Sequence, residues 1–132
     1  MLVPCEVAIR CVLPSVRAMI AKELMTKYNL KQAEAAKLLG ISQPAISLYN
    51  RKMRGKALDL ENDKEAEVLI ENFAALLVTG AVSHTDFIRT FCEICRTIRA
   101  KGLMCKLHKA FDSTVDINGC DLCMVMAAKC MS

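Results

Sequence analysis

Residues 32–51 read QAEAAKLLGISQPAISLYNR, and this stretch decides the expected fold. Ala36 offers a small side chain at a point where two short helices can cross closely. Gly40 stops the first helix, because glycine adopts a left-handed backbone at no steric cost. Ser42 is a good N-cap for a second helix, and Pro44 falls in its first turn, where a missing N–H is harmless. The pattern predicts a helix-turn-helix.

The second helix of this stretch has two distinct faces. Three of its residues are spaced so that they lie on one side of the helix and face the first helix: Ala45, Ile46 and Tyr49. The opposite face carries the residues that we expect to point outward: Gln43, Ser47, Leu48 and Arg51. In a DNA-binding helix-turn-helix, outward residues of the second helix enter the major groove. The alternative is an αα-hairpin whose pattern reports core packing alone.

The charge distribution favours the DNA-binding interpretation. Residues 1–56 carry ten basic and three acidic side chains, whereas the rest of the chain carries eight basic and eleven acidic ones. A net positive half is typical of a surface that meets phosphate. A basic run, RKMRGK, follows the second helix directly at residues 51–56 and is expected to anchor it, although a solvated connector has the same composition.

Each residue of the candidate DNA interface has an expected role. Gln43 and Ser47 are expected to read base edges, with Arg51 at the edge of the groove. Gln32, Lys52 and Arg54 are expected to contact phosphates. The complete predicted interface is Gln32, Ser42, Gln43, Pro44, Ser47, Leu48, Arg51, Lys52 and Arg54.

The composition favours an all-α protein. Of the 132 residues, 54% are hydrophobic, yet tryptophan is absent and only 5% are aromatic, so the core must consist mainly of aliphatic residues. We predict a helix-turn-helix domain at residues 1–56 and a helical dimerisation and cysteine-rich region at residues 57–132. No uncharged stretch approaches the roughly 20 residues that cross a bilayer. Arg10 and Arg17 interrupt the apolar N-terminus, so a signal peptide is not expected and the predicted location is the cytoplasm.

Three further helices are expected around the central pair. Pro14 should open a support helix over residues 15–28. A helix over residues 63–79 is the candidate dimer surface, and its expected buried set is Val68, Ile70, Phe73, Leu76 and Leu77. A Ser83-x-x-Asp86 start predicts the last helix, whose expected inward set is Phe87, Ile88, Phe91, Ile94, Cys95 and Ile98.

Eight cysteines are unusual for an intracellular chain of this size. Two CxxC pairs, Cys92/Cys95 and Cys120/Cys123, flank Cys105, and His108 follows three residues later. This spacing predicts a metal or cluster site with ligands from the set Cys92, Cys95, Cys105, Cys120 and Cys123. The N-terminal Cys5 and Cys11 are expected to be buried apolar residues.

Spacing alone leaves three chemistries open for these cysteines. Four thiolates hold an iron–sulfur cluster (4Fe-4S or 2Fe-2S), and they hold a structural zinc ion equally well. A thiol switch without metal is the third possibility. The cluster is favoured because it allows a DNA-binding protein to respond to redox, oxygen or iron–sulfur status. His108 is then an alternate ligand or a hydrogen-bond donor to a sulfur.

The chain also resembles a known family over nearly its whole length. The similarity is carried by Pro4-Cys5-Glu6, Leu13-Pro14 with Arg17, the residues of the helix-turn-helix, and a tail that contains Cys92-x-x-Cys95, Ile98-Arg99, Gly102-Leu103, Cys105-x-Leu107-His108-Lys109 and Gly119-Cys120-x-x-Cys123. These segments are similar to small archaeal predicted transcriptional regulators with an XRE-type (lambda-repressor-like) helix-turn-helix and a cysteine-rich C-terminus. The resemblance implies a cytoplasmic, dimeric regulator that binds double-stranded DNA.

Two other classes of function compete with a regulator. A small metal-bound redox or sulfur-handling protein would use the cysteines directly. However, the chain has no Gly-rich phosphate loop, no paired carboxylates beside a histidine and no Ser/His/Asp set, so no enzyme is predicted. An antitoxin-like or adaptor protein would instead cover the second helix with a protein partner.

Overall fold

A computed structural model describes residues 3–50, 63–105, 108, 109 and 114, and over these ranges the protein is all-helical. A π-helical turn, Ala8–Val12, joins the first two helices into one continuous segment. The helices are α1 (Pro4–Val7), α2 (Leu13–Thr26), α3 (Gln32–Leu39), α4 (Gln43–Asn50), α5 (Lys64–Val78) and α6 (His84–Ala100). Within the described part of the chain, no helix is long and apolar enough to cross a membrane.

Pro14 does not begin a separate helix, contrary to the sequence-based expectation. It lies in the first turn of α2, directly after the π-helical turn, and the backbone stays helical from Pro4 to Thr26. Proline removes one backbone donor and clashes with the carbonyl four residues earlier. A π-helical turn widens the backbone at that point, which explains how the helix passes through Pro14.

Helix α2 is the centre of the packing. Its stripe of Val16, Ile20 and Leu24 is fully buried, as the spacing of these residues predicts. Helices α3, α4, α5 and α6 all pack against α2, and the buried residues form one continuous core. The two predicted regions are therefore in direct contact, although their expected boundary near residue 56 lies outside the described residues.

Helix α5 buries a narrower stripe than the sequence predicted. Ile70, Phe73 and Leu77 are buried as expected, but Val68 and Leu76 are each 43% exposed. Their burial was wrongly predicted because the helix packs along one line of residues three or four apart, and Val68 lies two positions from Ile70, on the opposite side.

Helix α6 also buries a narrower stripe than the sequence predicted, and it makes an aromatic contact with α5. Phe91, Ile94 and Ile98 are buried, whereas Ile88, expected inward, is 48% exposed because it lies beyond the edge of that stripe. Phe73 of α5 packs on Phe91, with ring centroids 6.3 Å apart. The guanidinium of Arg17 lies 5.4 Å from the Phe91 ring centroid, which links α2 to the pair through a cation–π contact.

Polar caps fix where the last two helices begin. The Ser83 hydroxyl accepts a hydrogen bond from the Asp86 N–H, as the sequence predicts. Asp63 Oδ1 accepts one from the Ala66 N–H at 2.9 Å and also pairs with Lys101 Nζ at 2.9 Å. The backbone hydrogen bond from Ala66, followed by the bond from Lys101, lowers the pKa of Asp63. Asp63 thus joins the start of α5 to the end of α6.

The two isoleucines of α6 give a matched test of this core. Ile94→Ala should lower the free energy of unfolding by about 2–5 kcal/mol, because it leaves a cavity at a residue that is 1% exposed. Ile88→Ala should cost less than about 1 kcal/mol at its exposed position. Urea denaturation of both variants measures the difference, and equal losses would contradict the described orientation of α6.

Candidate nucleic-acid interface and cysteine site

The turn between α3 and α4 has the geometry that the sequence predicted. Gly40 adopts the left-handed conformation at φ 68°. The Gly40 N–H donates to the Lys37 carbonyl at 3.3 Å, and the Ile41 N–H donates to the Ala36 carbonyl at 3.0 Å. This pair of bonds is a Schellman motif, which satisfies the last carbonyls of α3 and turns the chain sharply.

The start of α4 is capped by the predicted residue. The Ser42 Oγ accepts a hydrogen bond from the Ala45 N–H at 3.3 Å. Ile46 is fully buried, and Tyr49 packs against the core. The inward face of α4 thus agrees with the predicted one, and it fixes which residues lie on the outside.

The predicted DNA-contacting residues differ in exposure. Ser42, Gln43 and Pro44 are exposed at the N-terminus of α4, while Gln32, Ser47 and Leu48 are half-buried. Ser47 and Leu48 are less exposed than expected, because α4 packs against both α2 and α3 and two neighbours cover more of its circumference. Arg51, Lys52 and Arg54 lie outside the described residues.

The cysteines of α6 lie on one helix face. Cys92 is exposed and Cys95 is half-buried, and at a spacing of three residues both sulfurs lie on the same side. Burial raises the pKa of the Cys95 thiol, and the nearby Arg99 guanidinium opposes that shift. Cys105 is half-buried in the turn that follows α6, and Cys120 and Cys123 lie outside the described residues.

The structure brings one unexpected thiol to this face. Arg99, one turn beyond Cys95, is buried, and its Nη1 donates to the Cys5 Sγ at 3.9 Å. Cys5 is exposed, so the prediction that it is buried was wrong. It lies in the first turn of α1, where its sulfur reaches Arg99 of α6 rather than the core. Cys11 is buried as predicted, and burial raises its pKa.

The described cysteines do not make a complete metal site. In the described ranges, no three His, Cys, Asp or Glu residues are grouped closely enough to hold a metal ion. Cys92 and Cys95 fit as half of a four-thiolate set, which then requires ligands such as Cys120 and Cys123. His108 is buried, and its backbone N–H donates to the Met104 carbonyl at 3.0 Å.

Sequence reasoning missed Arg99 and the position of Cys5. Arg99 falls seven residues after Cys92 and four after Cys95, so the helical period placed it on the cysteine face. That signal was present in the sequence. No comparable signal placed Cys5 beside Arg99, because the two residues are 94 positions apart.

Comparison with known proteins identifies no relative of this chain: no protein-family profile, curated protein or solved structure matches it.

Substitution of Gly40 tests the turn on which the interface depends. Gly40→Ala should cost about 1–2 kcal/mol of unfolding free energy, because a Cβ disfavours the left-handed conformation. Among the described residues, no heavy atom beyond Gly40 and its two chain neighbours lies within 4 Å of the added Cβ, so no clash from these residues contributes. Gly40→Asn should cost less, since asparagine tolerates this conformation better. Equal stability of wild type and the alanine variant in urea would contradict the left-handed turn.

Proposed function

We propose that this protein is a sequence-specific DNA-binding transcriptional regulator. The observation that carries the proposal is the capped turn from Gly40 to Ser42, which leaves Gln43 exposed at the start of α4. In a helix-turn-helix, the N-terminal residues of the second helix contact base edges. The net positive charge of residues 1–56 supports the same assignment, because phosphate contacts supply much of the affinity for DNA.

The roles follow from exposure and chemistry. Gln43 reads a base edge through its amide, which forms two hydrogen bonds with adenine, and Ser47 lies one turn further along α4. The Gln43 N–H, at the exposed start of α4 between Ser42 and Pro44, approaches a phosphate. The basic residues from Arg51 onward neutralise further phosphates.

A homodimer is part of the proposal. One recognition helix contacts only a few base pairs, so two copies related by a two-fold axis bind two half-sites one helical turn apart. Helix α5 supplies the dimer surface. The exposure of Val68 and Leu76 on its outer side supports this assignment, because that side presents apolar area that a second copy would cover.

The regulatory input that we propose is an iron–sulfur cluster held by Cys92 and Cys95 with ligands from Cys105, Cys120 and Cys123. When bound, such a cluster supplies a centre whose oxidation or loss reports redox, oxygen or iron–sulfur status. Buried Arg99 fits a site of this kind, because metal-bound sulfurs are deprotonated and accept hydrogen bonds from a cation. The alternative is a structural zinc ion bound by the same thiolates.

The DNA-binding proposal predicts different behaviour for readers and anchors. On a site selected from random DNA by the full-length protein, Gln43→Ala should weaken binding by about 1–3 kcal/mol and leave non-specific binding nearly unchanged. Arg54→Ala should weaken specific and non-specific binding alike. It should also reduce the slope of log affinity against log salt concentration by about one, because one phosphate contact is lost. Fluorescence anisotropy at several salt concentrations measures both effects.

Arg89 is the matched control for the lost charge. Its side chain is 71% exposed on α6, is not part of the proposed interface, and pairs with Asp86. Arg89→Ala should leave both affinities unchanged. A selection that enriches no sequence, or identical effects of Gln43→Ala and Arg89→Ala, would refute sequence-specific binding through α4.

The cofactor proposal has its own experiment. Protein purified without oxygen should be coloured, contain iron and sulfide, and lose both in Cys92→Ser, while Cys11→Ala keeps them because Cys11 lies in the core. Affinity for the selected DNA site should differ between the anaerobic and air-oxidised proteins. A colourless protein that contains zinc and binds DNA equally in both states would replace the sensor with a zinc site.

A further inference from the structure

Two cysteines from distant parts of the chain lie beside Arg99. Arg99 Nη1 donates to the Cys5 Sγ at 3.9 Å. Cys95 lies one turn before Arg99 on the same face of α6, and Cys92 lies one turn before Cys95. A thiol of α1 thus reaches the face of α6 that carries Cys95.

Cys5 and Cys95 differ from Cys11 in a way that matters for reactivity. Cys5 is exposed and Cys95 is half-buried, so small molecules in solvent reach the pair from the Cys5 side. Cys11 is 1% exposed and belongs to the core, where it is protected. Cysteine oxidation is selective for accessible thiols.

We propose that Cys5 and Cys95 are a redox pair that forms an intramolecular disulfide between α1 and α6 when Cys95 is not bound to a cofactor. The oxidant is a peroxide. One sulfur attacks a peroxide oxygen, which breaks the O–O bond, forms a sulfenic acid and releases one water. The second thiol then attacks that sulfur, forms the S–S bond and releases a second water. Two thiols and one hydrogen peroxide thus give one disulfide and two waters.

This pair deepens the proposed function and rests on it for its regulatory meaning. Cys5 lies in the first turn of the continuous helical segment from Pro4 to Thr26, and α3 and α4 pack on α2 within that segment. A bond from Cys5 to α6 therefore joins the cysteine face covalently to the scaffold of the DNA-binding unit. Oxidation therefore constrains the position of α1 and α2 relative to α6 without altering Gln43.

Peptide mapping of the full-length protein tests the pair directly. Metal-free, reduced protein is treated with hydrogen peroxide, its remaining thiols are alkylated, and it is digested without reduction. Trypsin alone leaves Cys92 and Cys95 in one peptide, TFCEICR, but a glutamyl endopeptidase also cleaves after Glu93 and separates them. The expected product is MLVPCE linked to ICR, and it should appear only after peroxide treatment.

Variants make the assignment specific. Cys5→Ser and Cys95→Ser should each abolish the linked peptide, whereas Cys11→Ser should retain it. A Cys92–Cys95 bond, or a bond from Cys95 to a C-terminal cysteine while Cys5 is alkylated, would overturn the proposal. The peptide map of the wild-type protein distinguishes these bonds from the Cys5–Cys95 bond even if a variant does not fold.

DNA binding separates this proposal from the function on which it rests. Oxidation should change affinity for the selected site about fivefold or more in wild type and leave it unchanged in Cys5→Ser. A linked peptide in a protein that selects no DNA sequence would support the redox pair and refute the regulator. A linked peptide with unchanged affinity would refute the regulatory role of the bond.

Discussion

The burial of one stripe of α2 is the constraint on which the rest of the structure depends. Val16, Ile20 and Leu24 have no exposed surface, and burying each side chain contributes about 1.5–3 kcal/mol. Both the α3–α4 pair and the α5–α6 pair pack against this helix. A shared core means that the two regions fold on common contacts, so a change of packing at α6 is transmitted to the support of α4 through α2.

Arg99 connects this core to the cysteine chemistry. A buried cation requires partners, and Arg99 Nη1 donates to the Cys5 Sγ one helical turn beyond Cys95. Neutral thiols are weak acceptors, whereas deprotonated sulfurs are strong ones. Burial raises the pKa of Cys95 and the Arg99 guanidinium opposes that shift, so a metal that deprotonates a cysteine gives Arg99 a stronger acceptor. The same residue serves the proposed cofactor site and the proposed disulfide.

Much of the candidate DNA interface was predictable because its determinants are local. Gly40 and Ser42 act through hydrogen bonds to residues no more than five positions away, and the structure contains these bonds. Exposure along α4 was less predictable. Ser47 is half-buried because α4 has two helical neighbours, and a periodicity shows which side of a helix is apolar but does not show how many helices cover it.

The sequence by itself determined the helical class, the start of α4, the ends of α3, α5 and α6 and the central apolar stripe, since backbone capping and the 3.6-residue period are short-range properties. Only the tertiary structure decided that Val68, Leu76 and Ile88 stay exposed, because the width of a buried stripe depends on the partner helix. It also decided that Cys5 meets Arg99. Two residues 94 positions apart are brought together by the packing of the segment from Pro4 to Thr26 against α6, and no local pattern encodes that contact.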